Sequence, residues 1–205
     1  MPARPDGGDV SRNRPASPAD VVRETAPTGV ALGVASFLAT YVLTYAYVVL
    51  DGVDTSDGGW TLVGLVLYSA HNVETVTTAT GAGQTISGSV NLLSNDFSGL
   101  TSFGSTVPTI VYYLTPVVVL LVAGFLTVQW TTNRSGSIAT GALAGATVVL
   151  GYLAFAVLGP LLFRVSRSAF GAQATVAPDL VTGIALLGIA YPVVFGAIGG
   201  AAASS

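Results

Sequence analysis

The only histidine in the chain, His71, lies three residues after Tyr68 and three before Glu74 in the segment YSAHNVET. Positions i, i+3 and i+6 share one face of a helix, so a helix through 68–74 would set an imidazole beside a phenol and a carboxylate. Such a pair can bind a divalent cation or shuttle a proton. One His and one Glu are fewer than the three or four ligands a metal centre takes, and the chain has no cysteine. No metal site, disulfide or thiol chemistry is therefore expected. Tyr68, His71 and Glu74 are a possible polar site. The competing reading is an interfacial histidine hydrogen-bonded to its own surroundings.

Other chemistries lack their residues. No Gly-x-Ser-x-Gly occurs, and a serine triad would have to use the sole histidine. The glycine clusters follow no strand and precede no lysine, since the chain has none, so no phosphate loop or dinucleotide fingerprint is present. With ten acids against seven arginines, no basic patch exists for nucleic acid. The expectation is a non-enzymatic protein with no catalytic residues and no cofactor.

The elements that would position these residues are dictated by apolar content. Hydrophobic residues make up 51% of the chain, charged residues only 8%, and the mean hydropathy is +0.71. That composition is one of an integral membrane protein. The expected fold is an all-α bundle of four transmembrane helices at residues 29–50, 108–130, 138–159 and 179–203. The first, 22 uncharged residues, would be about 33 Å long, enough to cross a bilayer core.

Residues 1–28, rich in proline and carrying Arg4, Arg12, Arg14 and Arg23, are expected to be a disordered cytoplasmic tail. No further cation appears before Arg134, which orients the N-terminus inward across the cell membrane. The first span is too long, and its tail too extended, for a cleaved signal, so it reads as a retained anchor. Residues 51–106 form an extracytoplasmic Thr/Ser/Gly-rich loop. Within it, 60–71 is a short apolar helix, re-entrant or interfacial, with Trp60 and Tyr68 near the headgroups. A hairpin over 73–93 turning at Gly81-Ala82-Gly83 is also expected.

The connector 160–178 follows Pro160, taken as the stop of the third span. It carries Arg164 and Arg167 outside, where the cation rule would not put them. A short interfacial helix would let them snorkel to headgroups. Counting 60–70 as a fifth span would move them inside, at the cost of an 11-residue crossing. The sequon Asn133-Arg134-Ser135 would then lie outside; with four spans it lies inside and silent.

Small residues recur along each span. Gly29, Gly33, Ser36, Thr40 and Thr44 fall on one face of the first; Gly141 and Gly145 mark the third; Gly188, Gly196 and Gly200 mark the fourth. Such faces let helices pack closely in lipid, or line a polar path. Pro116 and Pro192 should kink the second and fourth spans. No span interior carries an ionisable residue, which weighs against a proton-driven carrier.

Trp60, Gly64, Tyr68, Ala70, His71, Asn72 and Glu74, together with the span-loop-three-span layout, resemble a group of uncharacterised small haloarchaeal membrane proteins. The acidic, lysine-free composition agrees with that source. The resemblance implies membrane residence and nothing catalytic. Three functions remain in view. The first is an accessory or scaffold subunit associating with itself or a partner membrane protein through the small-residue faces. The second is a small-solute transporter or channel, oligomeric because four spans rarely enclose a path. The third is a membrane enzyme using His71 and Glu74.

Overall fold

The computed structural model describes residues 17–94, 103–131, 137–169 and 171–205. Its helices are α1 (Pro18–Leu50), α2 (Gly59–Ala70), α3 (Thr109–Thr131), α4 (Ile138–Leu162) and α5 (Leu180–Ala203). All but α2 are long and apolar enough to cross a membrane. The chain is not all-α: strands β1 (Thr75–Gly81), β2 (Gln84–Val90), β3 (Val165–Ala169) and β4 (Ala172–Pro178) form one antiparallel sheet in the order β2-β1-β4-β3. Two hairpins distant in sequence thus meet through β1 and β4, with Thr75 opposite Pro178.

Helix α1 begins eleven residues before the expected start. Ser17 caps it by accepting from the Asp20 amide, and the Asp20 carboxylate accepts in turn from Ser17. Pro18 occupies the first turn, where its missing amide costs nothing. One proline of the expected tail is thus a helix start signal, and another, Pro27, sits inside the helix. Val21 is buried against Val128 and Ala144, so the expected disordered tail is corrected for residues 18–28. Residues 1–16 and the sequon at 133–135 lie outside the described residues, as does most of the Asn95–Thr106 loop.

Pro160 does not end the third long helix, which continues to Leu162. The connector beyond it is the β3–β4 hairpin, not a short interfacial helix. The first hairpin turns at Ala82-Gly83, both at positive φ (51° and 77°), the geometry of a two-residue primed turn. The fourth long helix is π-helical over Gly183–Ala190, ending two residues before Pro192. The Tyr191 amide reaches back to Leu186 O, so the ladder is already offset where proline withholds its donor.

Helix α3 packs against α1 and the last half of α5. Helix α4 is broken at Thr147-Val148; its first half lies on α5 and its second half on α1. The end of α1 is tied to the entrance of α3 by Asp51. A crossing by α2 between them would put those two ends at opposite sides of the bundle. Helix α2 therefore enters and leaves at the sheet end.

Candidate functional site

Helix α2 ends in three linked devices, and they account for the Tyr68…His71-Asn72 pattern. Ala70 is its last helical residue. The Asn72 amide donates to Ser69 O and the Val73 amide to Tyr68 O, with Asn72 at φ 58°. This is a Schellman ending in which asparagine takes the left-handed position usually given to glycine. Because the His71 amide turns to Tyr68 O, Leu67 O is left without its helical donor, and His71 Nδ1 lies 2.8 Å from it. A carbonyl only accepts, so Nδ1 carries the proton and Nε2 is the free lone pair. Nε2 accepts from the Tyr152 hydroxyl at 2.9 Å.

His71 is completely buried, as are Tyr68 and Tyr152. Desolvation pulls the imidazole down to about 4, against the opposing bond to Leu67 O. The ring lies among Tyr152 and Tyr191, with centroids 5.8 and 4.9 Å away. Phe37 of α1 closes the far side of Tyr152, edge to face at 5.4 Å, and stacks on Phe155 at 4.4 Å. The Asn72 amide donates to Tyr191 Oη at 3.0 Å.

The Tyr68 hydroxyl lies 2.9 Å from Phe155 O and 3.0 Å from Ala156 O. Proline at 160 has no amide for the carbonyl four residues earlier, Ala156 O, and the phenol supplies the missing donor. Tyr68 is thus buried in the bundle, not placed at a headgroup. Gly159 makes room for it: a Cβ there would overlap the Tyr68 hydroxyl. Gly64 does the same for the Phe163 ring. Pro160 and Tyr68 are one joint between α2 and α4.

Glu74 does not join this cluster. Beyond the end of α2 it is exposed, accepts from the Ser89 hydroxyl, and offers its backbone carbonyl to the Asp179 amide. The imidazole–carboxylate pair that a continuous helix would create is absent, because the helix stops at Ala70. Among the described residues no three His, Cys, Asp or Glu groups cluster as a metal site would require.

The small-residue faces meet each other inside the chain. Ser36, Thr40 and Thr44 are buried, and each hydroxyl donates to the carbonyl four residues back. A Cβ on Gly29 would strike Thr147, and one on Gly33 the Val148 carbonyl. Gly141 and Gly145 meet Gly200 and Gly196, while Gly188 meets Ala156 and Leu153. Gly124 of α3 and Gly199 of α5 complete this packing against Gly196 and Leu121. Pro116 and Pro192 are both buried in their helices.

Sequence reading missed the second polar joint. Asp51 closes α1, and its Oδ1 accepts from the amides of Thr106 and Val107 at 2.8 Å each. Its Oδ2 accepts from the Gly104 amide at 2.9 Å and the Tyr112 hydroxyl at 2.8 Å. Desolvation alone would raise this carboxyl; the four donors outweigh it and hold it below its ordinary 3.8. Tyr112 is itself buried. The available signal was position. An acid at a helix C-terminus opposes the macrodipole, so it needs another reason to be there. At the start of α5, Asp179 accepts from the Thr182 amide at 2.8 Å, and that capping lowers its pKa.

A family profile described as "Family of unknown function (DUF7978)" matches residues 9–205, and the chain belongs to that family. No curated protein and no solved structure matches it.

Proposed function

We propose that the chain is a non-enzymatic, multi-pass protein of the cell membrane, acting as an accessory or scaffold subunit. Its N-terminus is cytoplasmic and its sheet extracytoplasmic. The observation that carries this reading is how the polar groups are spent. His71, Tyr68, Tyr152 and Asp51, the groups a reaction or a coupled ion would need, each hold helices together. The glycine faces are occupied within the chain, so a partner membrane protein or second copy would meet the sheet or the outward helix surfaces instead. Strand β2 offers such a surface: it is exposed along its length, uncharged, and paired only with β1, with Ile86 71% exposed. The lysine-free acidic composition supports a haloarchaeal source.

A small-solute transporter is the second reading. Its support is the half-length helix α2 ending beside the π-helical stretch of α5, since interrupted helices are common at solute sites.

One experiment separates the two. Single cysteines at Thr44, Ser94, Ser135 and Ser166 are treated in intact cells with a membrane-impermeant maleimide. Labelling at Ser94 and Ser166 with silence at Ser135 is expected for the four-span topology. Silence at Thr44 is expected for the scaffold, because its hydroxyl is bonded within a buried face. Strong labelling there would mean that water reaches the interior, and the transporter reading would replace it. Under the scaffold reading, a photo-crosslinking residue at Ile86 should trap the partner or second copy.

A further inference from the structure

We propose that a cleft between the first turns of α2 and strand β3 binds the phosphate of an anionic lipid headgroup. Asp57, Gly58, Thr61, Leu62 and Leu65 line one side, and Arg164, Val165, Ser166 and Arg167 the other. This inference rests on the reading that the sheet end of the bundle lies at a membrane surface.

Three independent observations converge there. Both arginines are exposed, and neither is ion-paired among the described residues, although Asp57 lines the same cleft. An arginine fork matches phosphate oxygens in geometry as well as charge, and two against one acid leave the cleft net cationic. These are also the only cations among the described residues at this end of the molecule, whose overall balance is −3. The second observation is the start of α2. Gly58 caps it with no side-chain bond, so no side chain occupies the N-terminus of this 12-residue helix, where the dipole favours an anion. The third is level. Arg164 follows the last residue of α4, Leu162, by two positions, and Trp60, half-exposed, lies 6.0 Å from Phe163. An indole and an arginine at the end of a long apolar helix mark the depth of lipid phosphate. The same cations that contradict the inward bias of positive charge are thus given a use where they stand.

The test uses the full chain in a mild neutral detergent, with Trp130 replaced by Phe so that Trp60 is the only indole donor. Energy transfer from Trp60 to dansyl-labelled phosphatidylglycerol is titrated, with dansyl-labelled phosphatidylcholine as the zwitterionic comparison. Phosphatidylglycerol should bind more tightly. Replacing both arginines (R164Q/R167Q) should cost that preference roughly 25-fold, at about fivefold per cation near a lipid surface. The R164K/R167K pair, which keeps the charge but not the fork, should fall between the parent and the glutamine variant. An unchanged thermal midpoint of the glutamine variant makes the loss local. Equal binding of the two lipids by the parent, or full preference kept by R164Q/R167Q, overturns the site. Competition by inorganic phosphate at the same concentrations as the lipid overturns the lipid assignment in favour of a free ion. Extraction of the chain from membranes without detergent would instead refute membrane residence itself, whatever the cleft binds.

Discussion

The two ends of the helix bundle are built on opposite principles. At the end remote from the sheet, Gly124, Gly141, Gly145, Gly196, Gly199 and Gly200 bring α3, α4 and α5 together backbone against backbone. Affinity there comes from dispersion and close approach, with almost no side-chain hydrogen bonding between helices. At the sheet end the elements are spaced by Tyr68, His71, Tyr112, Tyr152 and Tyr191, each fixed by a named donor and acceptor, with Phe37 packed on Tyr152 and Phe155. The glycine end tolerates no added volume; the aromatic end tolerates no lost partner. One end sets how near the spans lie, the other which element docks where.

The sharpest way to break the glycine end is volume. A side chain at Gly145 would run into the Gly196 carbonyl and the Gly200 backbone. Gly145→Leu should therefore cost more than about 4 kcal/mol, the range of severe overpacking, and yield no monodisperse protein in mild detergent. Gly88 has nothing within 4 Å of its would-be Cβ, so Gly88→Ala is the matched control and should behave as the parent. A folded, monodisperse Gly145→Leu would show that these helices can separate.

Next in size is the carboxylate joint. Asp51→Ala strands three amides and the Tyr112 hydroxyl at once, which should cost about 3–5 kcal/mol by thermal unfolding in detergent. The sign of its pH dependence follows from its lowered pKa. The folded value lies below the ordinary 3.8, so this stabilisation is complete above pH 3.8 and is lost as pH falls through the lower folded value. Asp51→Ala should lack that acid limb. An identical limb in parent and variant would remove Asp51 as its source.

His71 acts in a different window. Its folded pKa of about 4 lies below the ordinary 6.5, so its contribution is complete above 6.5 and fades as pH falls toward 4. The loss should be on the order of 3 kcal/mol across that interval, and a His71→Gln variant should not show it. Tyr152→Phe removes the hydroxyl that serves Nε2 and should cost about 1–2 kcal/mol at neutral pH. Equal pH profiles for the parent and His71→Gln would place the titrating group elsewhere.

The four long helices were legible because a continuous apolar run has one physical meaning at that length. The one-face spacing of Gly29, Gly33, Ser36, Thr40 and Thr44 was legible as well, but not what would cover it, since spacing fixes a face and not its partner. The sheet was half legible. Its first hairpin announces itself at Ala82-Gly83, whereas the β3–β4 hairpin joins the sheet through β4 pairing with β1 across nearly a hundred residues of sequence, which no local pattern encodes. The pairing of Tyr68 with Pro160 is of the same kind. Read locally, Pro160 ends a helix; read with Tyr68, its defect is mended and the helix runs on. The role of Asp51 was not legible, because its four donors come from residues 104–112.

That joint offers the finest test of the contrast between the two ends. If Tyr68 is held by the carbonyl that Pro160 leaves bare, the two residues must be coupled. Tyr68→Phe alone leaves Ala156 O without a donor and should cost about 1–2 kcal/mol. In a Pro160→Ala background the amide of residue 160 supplies that donor from within α4, and the same Tyr68→Phe substitution should cost about 1 kcal/mol less. Thermal unfolding of the parent, both single variants and the double variant gives the coupling directly. A coupling near zero would mean that the phenol is held by Phe155 O and by its burial, with the proline irrelevant to it. A coupling near 1 kcal/mol would mean that the sheet end is specified by hydrogen-bond vacancies in one helix filled from another. No such coupling should exist between Gly145 and any side chain of the glycine end, because a contact made of backbone has no donor to exchange.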